Sequence, residues 1–124
     1  EPQLPKQLIF VYDYPVNLAA LAQVRRDTTP VAERFEVYLN GIELANGFHE
    51  LSDANEQRLR FQNDLNTRTR HGYSTVPIDK HLLAALTHGL PDCSGVALGI
   101  DRLLMLMAKA NKLSEVISFP IQRA

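Results

Sequence analysis

The alternation of apolar and polar positions predicts strands in the first half of the chain. Residues 7–14 (QLIFVYDY) are rich in β-branched and aromatic side chains and end at Pro15, which is typical of a strand. Further along, the alternating runs FEVYL and IELAN flank Asn40-Gly41. This dipeptide is favoured in a type I′ turn because both central residues need a positive φ. We therefore expect a β-hairpin over residues 35–46.

A long helix is predicted directly after the hairpin. It begins near Ser52 or Asp53, which are suitable N-cap residues, and continues through a polar stretch to Arg70. Phe61 and Leu65 lie four positions apart and form its one apolar stripe. The pattern indicates an amphipathic helix that is largely exposed.

Two further helices and one strand are predicted in the second half. Asp79 is a good N-cap for a helix that ends at His88, with Gly89 in the C-cap position. Residues 95–100 predict a strand, and residues 100–110 (IDRLLMLMAKA) predict a helix that is apolar nearly all round and therefore buried. This order of elements predicts one α+β domain with a mainly antiparallel sheet flanked by helices.

Composition sets broad limits on function. The chain has 124 residues, 45% of them hydrophobic, which suffices for one core, and no apolar run approaches the roughly 18 residues of a membrane span. A net charge of −1 gives no strong electrostatic reason to expect a nucleic-acid or membrane surface. The single cysteine, Cys93, excludes an internal disulfide, so a reducing cytoplasm is the expected location. The start at Glu1, without an initiator Met or a signal-peptide pattern, suggests a piece of a longer protein.

The strand predicted at residues 95–100 has two unlike faces, because residues two apart in a strand share a face. The apolar face, expected to be core, comprises Val96, Leu98 and Ile100. The opposite face is almost bare backbone and comprises Gly95, Ala97 and Gly99. Such a face weakens a strand unless something packs closely on it. A flat ligand such as a purine, or a small amino acid, is one candidate, and a close contact within the sheet is the other.

Arg102 follows this strand at the start of the last predicted helix. A guanidinium in that place needs a partner such as a phosphate or a ring, and a salt bridge to a structural carboxylate is the alternative. Glu43 offers a carboxylate on the polar face of the hairpin, beside the small Ala45. Glu50 follows just past the strand, where a bend would return it to the same pocket. Two carboxylates at one site suit Mg²⁺ bridging nucleotide phosphates or a substrate ammonium group, although solvated acids are the simpler alternative.

The remaining reactive side chains carry weaker signals. The four histidines show no metal-site spacing and no cysteine pair accompanies them, so a zinc site is not expected. Cys93 has no obvious activating base, which indicates an inert or partly buried thiol.

Three segments together resemble the class II lysyl-tRNA synthetases. Residues 34–51 resemble the family's segment RFE…G-E-x-A/G-N-G-F-x-E-L, and residues 89–91 with 95–102 resemble motif 3 and its approach. The stretch at residues 115–120 (EVISFP) is similar to the family's C-terminal D/E-V-I-x-F-P. These segments cover nearly the whole chain in the family's order.

The resemblance implies that residues 1–124 are the C-terminal part of a class II synthetase-like catalytic domain, with motif 3 at residues 95–102. Motifs 1 and 2, which in the family build the dimer interface and supply the arginine that holds the α-phosphate, would lie upstream. The chain alone is therefore expected to be inactive, and its parent protein is expected to be a homodimer.

One position departs from the lysyl-tRNA synthetase pattern, which usually has glycine where this sequence has Ala97. Together with residues 93–96 (CSGV), Ala97 resembles the paralogues that activate (R)-β-lysine with ATP and transfer it to a lysine of elongation factor P. One methyl group on the bare face changes the shape of the amino-acid pocket, and discrimination by one methyl is modest, about 1–3 kcal/mol.

The resemblance also implies roles for particular residues. ATP is expected at Glu43, Leu44, Gly99 and Arg102, of which Arg102 is also the expected catalytic residue. The amino-acid substrate is expected at Glu50, Asn46 and Ala97. Mg²⁺ is expected at Glu43 and Glu50. None of these groups is a general acid or base, because adenylation depends on positioning and charge stabilisation.

The function implied is therefore ATP-dependent formation of an (R)-β-lysyl adenylate and its transfer to elongation factor P. A lysyl-tRNA synthetase, which uses lysine and tRNA, is the first alternative, and a non-catalytic synthetase-like regulatory module is the second. The combination of Glu43, Glu50 and Arg102 favours a catalytic protein over the module.

Overall fold

The computed structural model describes residues 4–121, and the elements follow the predicted order. The strands are β1 (Leu8–Tyr14), β2 (Val24–Arg25), β3 (Val31–Leu39), β4 (Ile42–His49) and β5 (Ser94–Leu98). The α-helices are α1 (Ala54–Arg70), α2 (Lys80–His88) and α3 (Ile100–Met107). The strands form one mainly antiparallel sheet in the order β1-β3-β4-β5, with β2 paired to β3. The predicted α+β class is confirmed.

The β3–β4 hairpin turns at the predicted dipeptide. Asn40 has a φ of 53° and Gly41 a φ of 76°, as a type I′ turn requires. The strands extend beyond the predicted hairpin, since β3 begins at Val31 and β4 continues to His49. β4 therefore presents Glu43, Leu44 and Asn46 along one continuous strand.

Contacts within the chain cluster into two compact units. Unit 1 consists of the described residues of Glu1–Asp13, Phe35–Gly47 and Val96–Ala124, and unit 2 consists of Tyr14–Arg34 and Phe48–Gly95. None of the helices within residues 4–121 is long and apolar enough to cross a membrane.

Unit 2 is held together by small buried side chains and by the α1–α2 contact. Its core cluster comprises Ala19, Ala22 and Ala32, packed against Tyr14, Val24 and Phe48. The Arg34 guanidinium lies over the Tyr14 ring, 4.6 Å from its centroid, which adds a cation–π contact at the edge of this core. Helices α1 and α2 pack on one another, and Leu83 and Leu86 of α2 are buried.

Both helices of unit 2 begin at the predicted caps. The Asp53 carboxylate accepts hydrogen bonds from the backbone N–H groups of Asn55 and Glu56 at 2.8 and 3.0 Å. At the start of α2, the backbone N–H groups of Leu82 and His81 donate to Asp79 and lower the pKa of its carboxyl. Each carboxylate satisfies donors that have no partner within the helix.

The prediction that the last helix is buried is wrong, because α3 in unit 1 is largely exposed. Only Met105 of α3 is buried, and Ile100 is 63% exposed. The supposed core face of β5 is also open, with Val96 63% and Leu98 49% exposed. An apolar pattern is buried only where a second layer covers it, and among residues 4–121 no element covers this face.

We expect the Asp53 cap to support the stability of α1. Asp53→Ala should lower the free energy of unfolding by about 1 kcal/mol, because two backbone donors lose their acceptor. Denaturant unfolding of the protein that carries this chain measures the effect. Asp53→Asn is the matched control, since asparagine caps helices equally well. An equal loss in both variants would contradict a capping role.

Candidate functional site

Four residues assigned to ATP are linked by contacts within unit 1, and we call them the Glu43–Arg102 cluster: Glu43, Leu44, Gly99 and Arg102. The Gly99 N–H donates to the Leu44 carbonyl at 2.8 Å. Arg102 Nη1 donates to the Glu43 carbonyl at 2.9 Å. Strand β4 and the first turn of α3 therefore hold these groups together through backbone contacts.

The charges of this cluster remain accessible. Arg102 Nη1 lies 3.7 Å from Glu43 Oε2, which is an ion-pair distance but too long for a hydrogen bond. The side chains are 46% and 36% exposed, so the pair is screened by water and contributes little to stability. A guanidinium has five N–H donors, and both contacts use Nη1 alone. Arg102 can therefore donate to an added anion without leaving Glu43.

Part of the bare face of the β5 segment is occupied by the chain itself. At Gly95, a Cβ atom would overlap with Oε1 of Glu50 and lie 3.4 Å from its Cδ, so a carboxylate of the chain itself fills that space. At Gly99, a Cβ atom would make ordinary contacts of 3.5 Å with Arg102 Cδ and 3.6 Å with the Leu44 carbonyl oxygen. The hypothesis of a flat ligand is thus wrong at Gly95, where the contact within the fold explains the glycine.

The polar face of the β3–β4 hairpin is also partly closed to solvent. Glu36 and Tyr38 are buried, and the Tyr38 hydroxyl donates a hydrogen bond to Glu36. Asn46 differs, because its side-chain oxygen is buried and has no hydrogen-bond partner among residues 4–121. A buried acceptor without a donor is costly, which marks Asn46 as a place for an incoming N–H group. Ala97, also in unit 1, is exposed on β5.

Glu50 lies in unit 2, directly after β4, and forms an antiparallel bridge with Ala22. Its N–H donates to the Cys93 carbonyl at 3.0 Å, and its carbonyl accepts from Gln23 Nε2 at 3.1 Å. These bonds hold the backbone of Glu50, and its carboxylate lies close to Gly95.

His49, the neighbour of Glu50, lies between two carboxylates. Its Nδ1 is 2.5 Å from Glu33 Oε2 and its Nε2 is 2.6 Å from Asp92 Oδ1. Hydrogen bonds to Asp92 and then to Glu33 raise the pKa of His49 above its usual 6.5. Because a ring nitrogen that donates to Asp92 cannot also accept, the Gln23 amide, 3.2 Å from Nε2, donates to the Glu50 carbonyl instead.

The contacts of His49 with the two carboxylates are not predicted from the sequence. Metal-site spacing, the criterion applied to His49, does not reveal its contact with Asp92, which lies 43 residues away. The available signal was positional, since His49 directly precedes Glu50 and Asp92 directly precedes Cys93. We call the whole set the Glu50 cluster: Gln23, Glu33, His49, Glu50, Asp92, Cys93 and Gly95.

The described residues fit Mg²⁺ only as a nucleotide-bridging ion. Within residues 4–121 no group of three or more His, Cys, Asp or Glu side chains could hold a metal ion. Mg²⁺ is commonly held by one or two carboxylates together with phosphates and water rather than by a cage of protein ligands. The half-exposed Glu43 carboxylate suits that mode of binding.

Several curated proteins similar to this chain carry the name elongation factor P–(R)-β-lysine ligase. The protein from Edwardsiella ictaluri is 58% identical over the whole chain, which covers 38% of that protein. The protein from Pectobacterium atrosepticum is 60% identical over 93% of the chain, covering 35% of its own length. The protein from Klebsiella pneumoniae subsp. pneumoniae is 56% identical over the whole chain and 38% of its own length. The chain thus spans well under half the length of the relatives it matches.

A family model describes nearly the whole chain. The model of class II tRNA synthetases of the D, K and N type matches residues 3–123. This match includes both clusters and all seven residues that the resemblance assigns to ATP, metal and amino acid. The chain therefore belongs to the class II tRNA synthetase family (D, K and N).

Proposed function

We propose that the protein carrying this chain is an ATP-dependent ligase that activates (R)-β-lysine as an adenylate and transfers it to a lysine of elongation factor P. The observation that carries this proposal is the 56–60% identity to relatives of that name, which extends over nearly all of the chain. The Glu43–Arg102 cluster supports this proposal. An exposed guanidinium suits the phosphates of a nucleoside triphosphate, and the carboxylate beside it suits the accompanying metal ion.

In the proposed reaction, Arg102 binds the phosphates and stabilises the charge that develops on them, while Gly99 and Leu44 lie along the nucleotide. Glu43 is the proposed ligand of Mg²⁺, which supplies further charge neutralisation when bound. Positioning then decides the rate, since the substrate carboxylate must attack the α-phosphorus in line and displace pyrophosphate. This chemistry needs no proton transfer from the residues named.

The amino-acid end of the substrate is assigned to Asn46, Glu50 and Ala97. The buried oxygen of Asn46 would accept an N–H from the substrate, which removes the cost of an unpaired acceptor. Glu50 carries the negative charge that a substrate ammonium group requires, and it also remains the second candidate for Mg²⁺. Ala97 is proposed to shape the pocket by its methyl group.

We further propose a cytoplasmic homodimer as the working form. Modification of a translation factor requires access to the compartment of translation. The homodimer follows from the resemblance to lysyl-tRNA synthetases, whose motif 1 builds the dimer interface. Sedimentation of the protein that carries this chain would decide its oligomeric state.

The deciding experiment offers elongation factor P and lysine tRNA together to the protein that carries this chain, with ATP and labelled (R)-β-lysine or α-lysine. We expect label on elongation factor P, with (R)-β-lysine preferred. Label on tRNA would instead establish a lysyl-tRNA synthetase. ATP binding without label on either acceptor would indicate a regulatory module.

The 124-residue chain alone should form no adenylate.

Replacing the Arg102 guanidinium should slow adenylation strongly. Arg102→Ala is expected to lower kcat/KM for ATP on the order of a hundredfold, because it removes a donor to the developing phosphate charge. Amino-acid-dependent ATP–pyrophosphate exchange measures this. Arg58→Ala, which removes an exposed arginine of α1, is the control and should behave as wild type. A wild-type rate for Arg102→Ala would refute its catalytic role.

The methyl group of Ala97 should set the preference between the two lysines. Ala97→Gly is expected to raise kcat/KM for α-lysine relative to (R)-β-lysine by roughly tenfold, since one methyl carries modest discrimination. Ala20→Gly is a matched control, because Ala20 is exposed with a φ of 50° that glycine adopts readily. If the ratio for Ala97→Gly equals that of the control, Ala97 does not determine specificity.

A further inference from the structure

Two adjacent bonds connect the end of β4 to the segment that precedes β5. One joins the side chains of His49 and Asp92, and the other joins the Glu50 N–H to the Cys93 carbonyl. His49 and Glu50 are consecutive, as are Asp92 and Cys93, so the two bonds are successive cross-links between the same two segments.

The position of the second segment matters to Glu50 because this segment leads directly into Gly95 of β5. The Glu50 carboxylate packs where Gly95 has no side chain, so a shift of residues 92–95 changes the space available to that carboxylate. The Glu50 carbonyl is held separately by Gln23, which gives the backbone a second anchor.

His49 is itself anchored on the sheet. Glu33 of β3, whose side chain is 25% exposed, holds Nδ1, and the ring extends from there to Asp92, whose side chain is 84% exposed. Because His49 itself belongs to β4, its bond to Asp92 ties a strand of the sheet to an exposed segment. A bond to so exposed a carboxylate contributes little to stability, so its loss should move the segment without unfolding the protein.

We propose that His49 is a positioning residue that, through Asp92, holds residues 92–95 against Glu50 and thereby sets the Glu50 carboxylate for the amino group of the substrate. The assignment of Glu50 to that amino group rests on the proposed function. The link from His49 to Glu50 rests on the contacts within unit 2 alone.

Two amide substitutions of His49 separate the two bonds of the ring. In His49→Asn the side-chain amide nitrogen would reach about as far as Nδ1 and keep the bond to Glu33. In His49→Gln the longer side chain would bring its amide nitrogen about as far as Nε2 and keep the bond to Asp92. Both variants remove the same ring and the same titratable group. They are therefore matched, and differ in which partner is retained.

The kinetic test measures KM for (R)-β-lysine and for ATP in the protein that carries this chain. His49→Asn should raise KM for the amino acid on the order of tenfold and leave KM for ATP unchanged, because support of a substrate-binding group is lost. His49→Gln should restore the wild-type value. Asp92→Ala should raise KM for the amino acid as much as His49→Asn does. The double variant His49→Asn/Asp92→Ala should be no worse than either single variant, since both substitutions remove the same His49–Asp92 bond. His88→Asn, at an exposed histidine of α2, is the control.

Three kinetic results would overturn the proposal. These are an unchanged KM in His49→Asn and Asp92→Ala, equal defects in His49→Asn and His49→Gln, or a parallel rise of both KM values with a fall in Tm. The last of these would indicate a merely structural histidine.

Hydrogen exchange tests the same link without activity. In His49→Asn the amides of residues 50–51 and 93–95 should exchange faster than in His49→Gln and wild type, because the Glu50–Cys93 bond opens more often. Equal protection in all three proteins would overturn the positioning role. If wild type forms no adenylate from either lysine, the proposed function fails. The hydrogen-exchange result then decides by itself whether His49 positions residues 92–95.

Discussion

Strand β4 is bonded to neighbouring strands on both of its sides, and this pairing is the constraint from which the candidate site follows. Lying between β3 and β5, it cannot slip by one residue without exchanging every side chain between its two faces. Glu43 and Asn46 lie within this fixed register, and Glu50 follows at its end. The proposed site residues of β4 are thus placed mainly by backbone hydrogen bonds rather than by side-chain packing. That suits chemistry in which positioning and charge supply the rate.

The two clusters use charge differently. In the Glu43–Arg102 cluster the ion pair is loose and accessible, so water screens it and a ligand can compete for it. In the Glu50 cluster a histidine bridges two carboxylates, and one of these, Glu33, also lies 3.3 Å from Arg25 Nη1. One arrangement is available for binding, and the other supports a neighbouring group.

How much of the structure can be predicted from the sequence depends on how far apart along the chain the interacting residues lie. The turn at Asn40-Gly41 and the cap at Asp53 involve residues a few positions apart, and both were predicted because local geometry decides them. The exposure of α3 was not predicted, since an apolar pattern does not say whether a covering layer is present. Among the proposed site residues, the family resemblance assigns Glu43 and Arg102 to ATP, and the structure brings these two into contact. The bridge from His49 to Asp92 joins residues 43 apart, and no periodicity encodes such a contact.

The open apolar face of unit 1 also has a colloidal consequence. Strand β5 stands at the end of the sheet order among the described strands, and Val96 and Leu98 on it are exposed. An unpaired strand edge with apolar side chains is a template for joining another copy. Concentrated solutions of the isolated 124-residue chain should therefore scatter light through edge-to-edge association, and a charged solubility tag or a low protein concentration becomes a practical requirement for handling it.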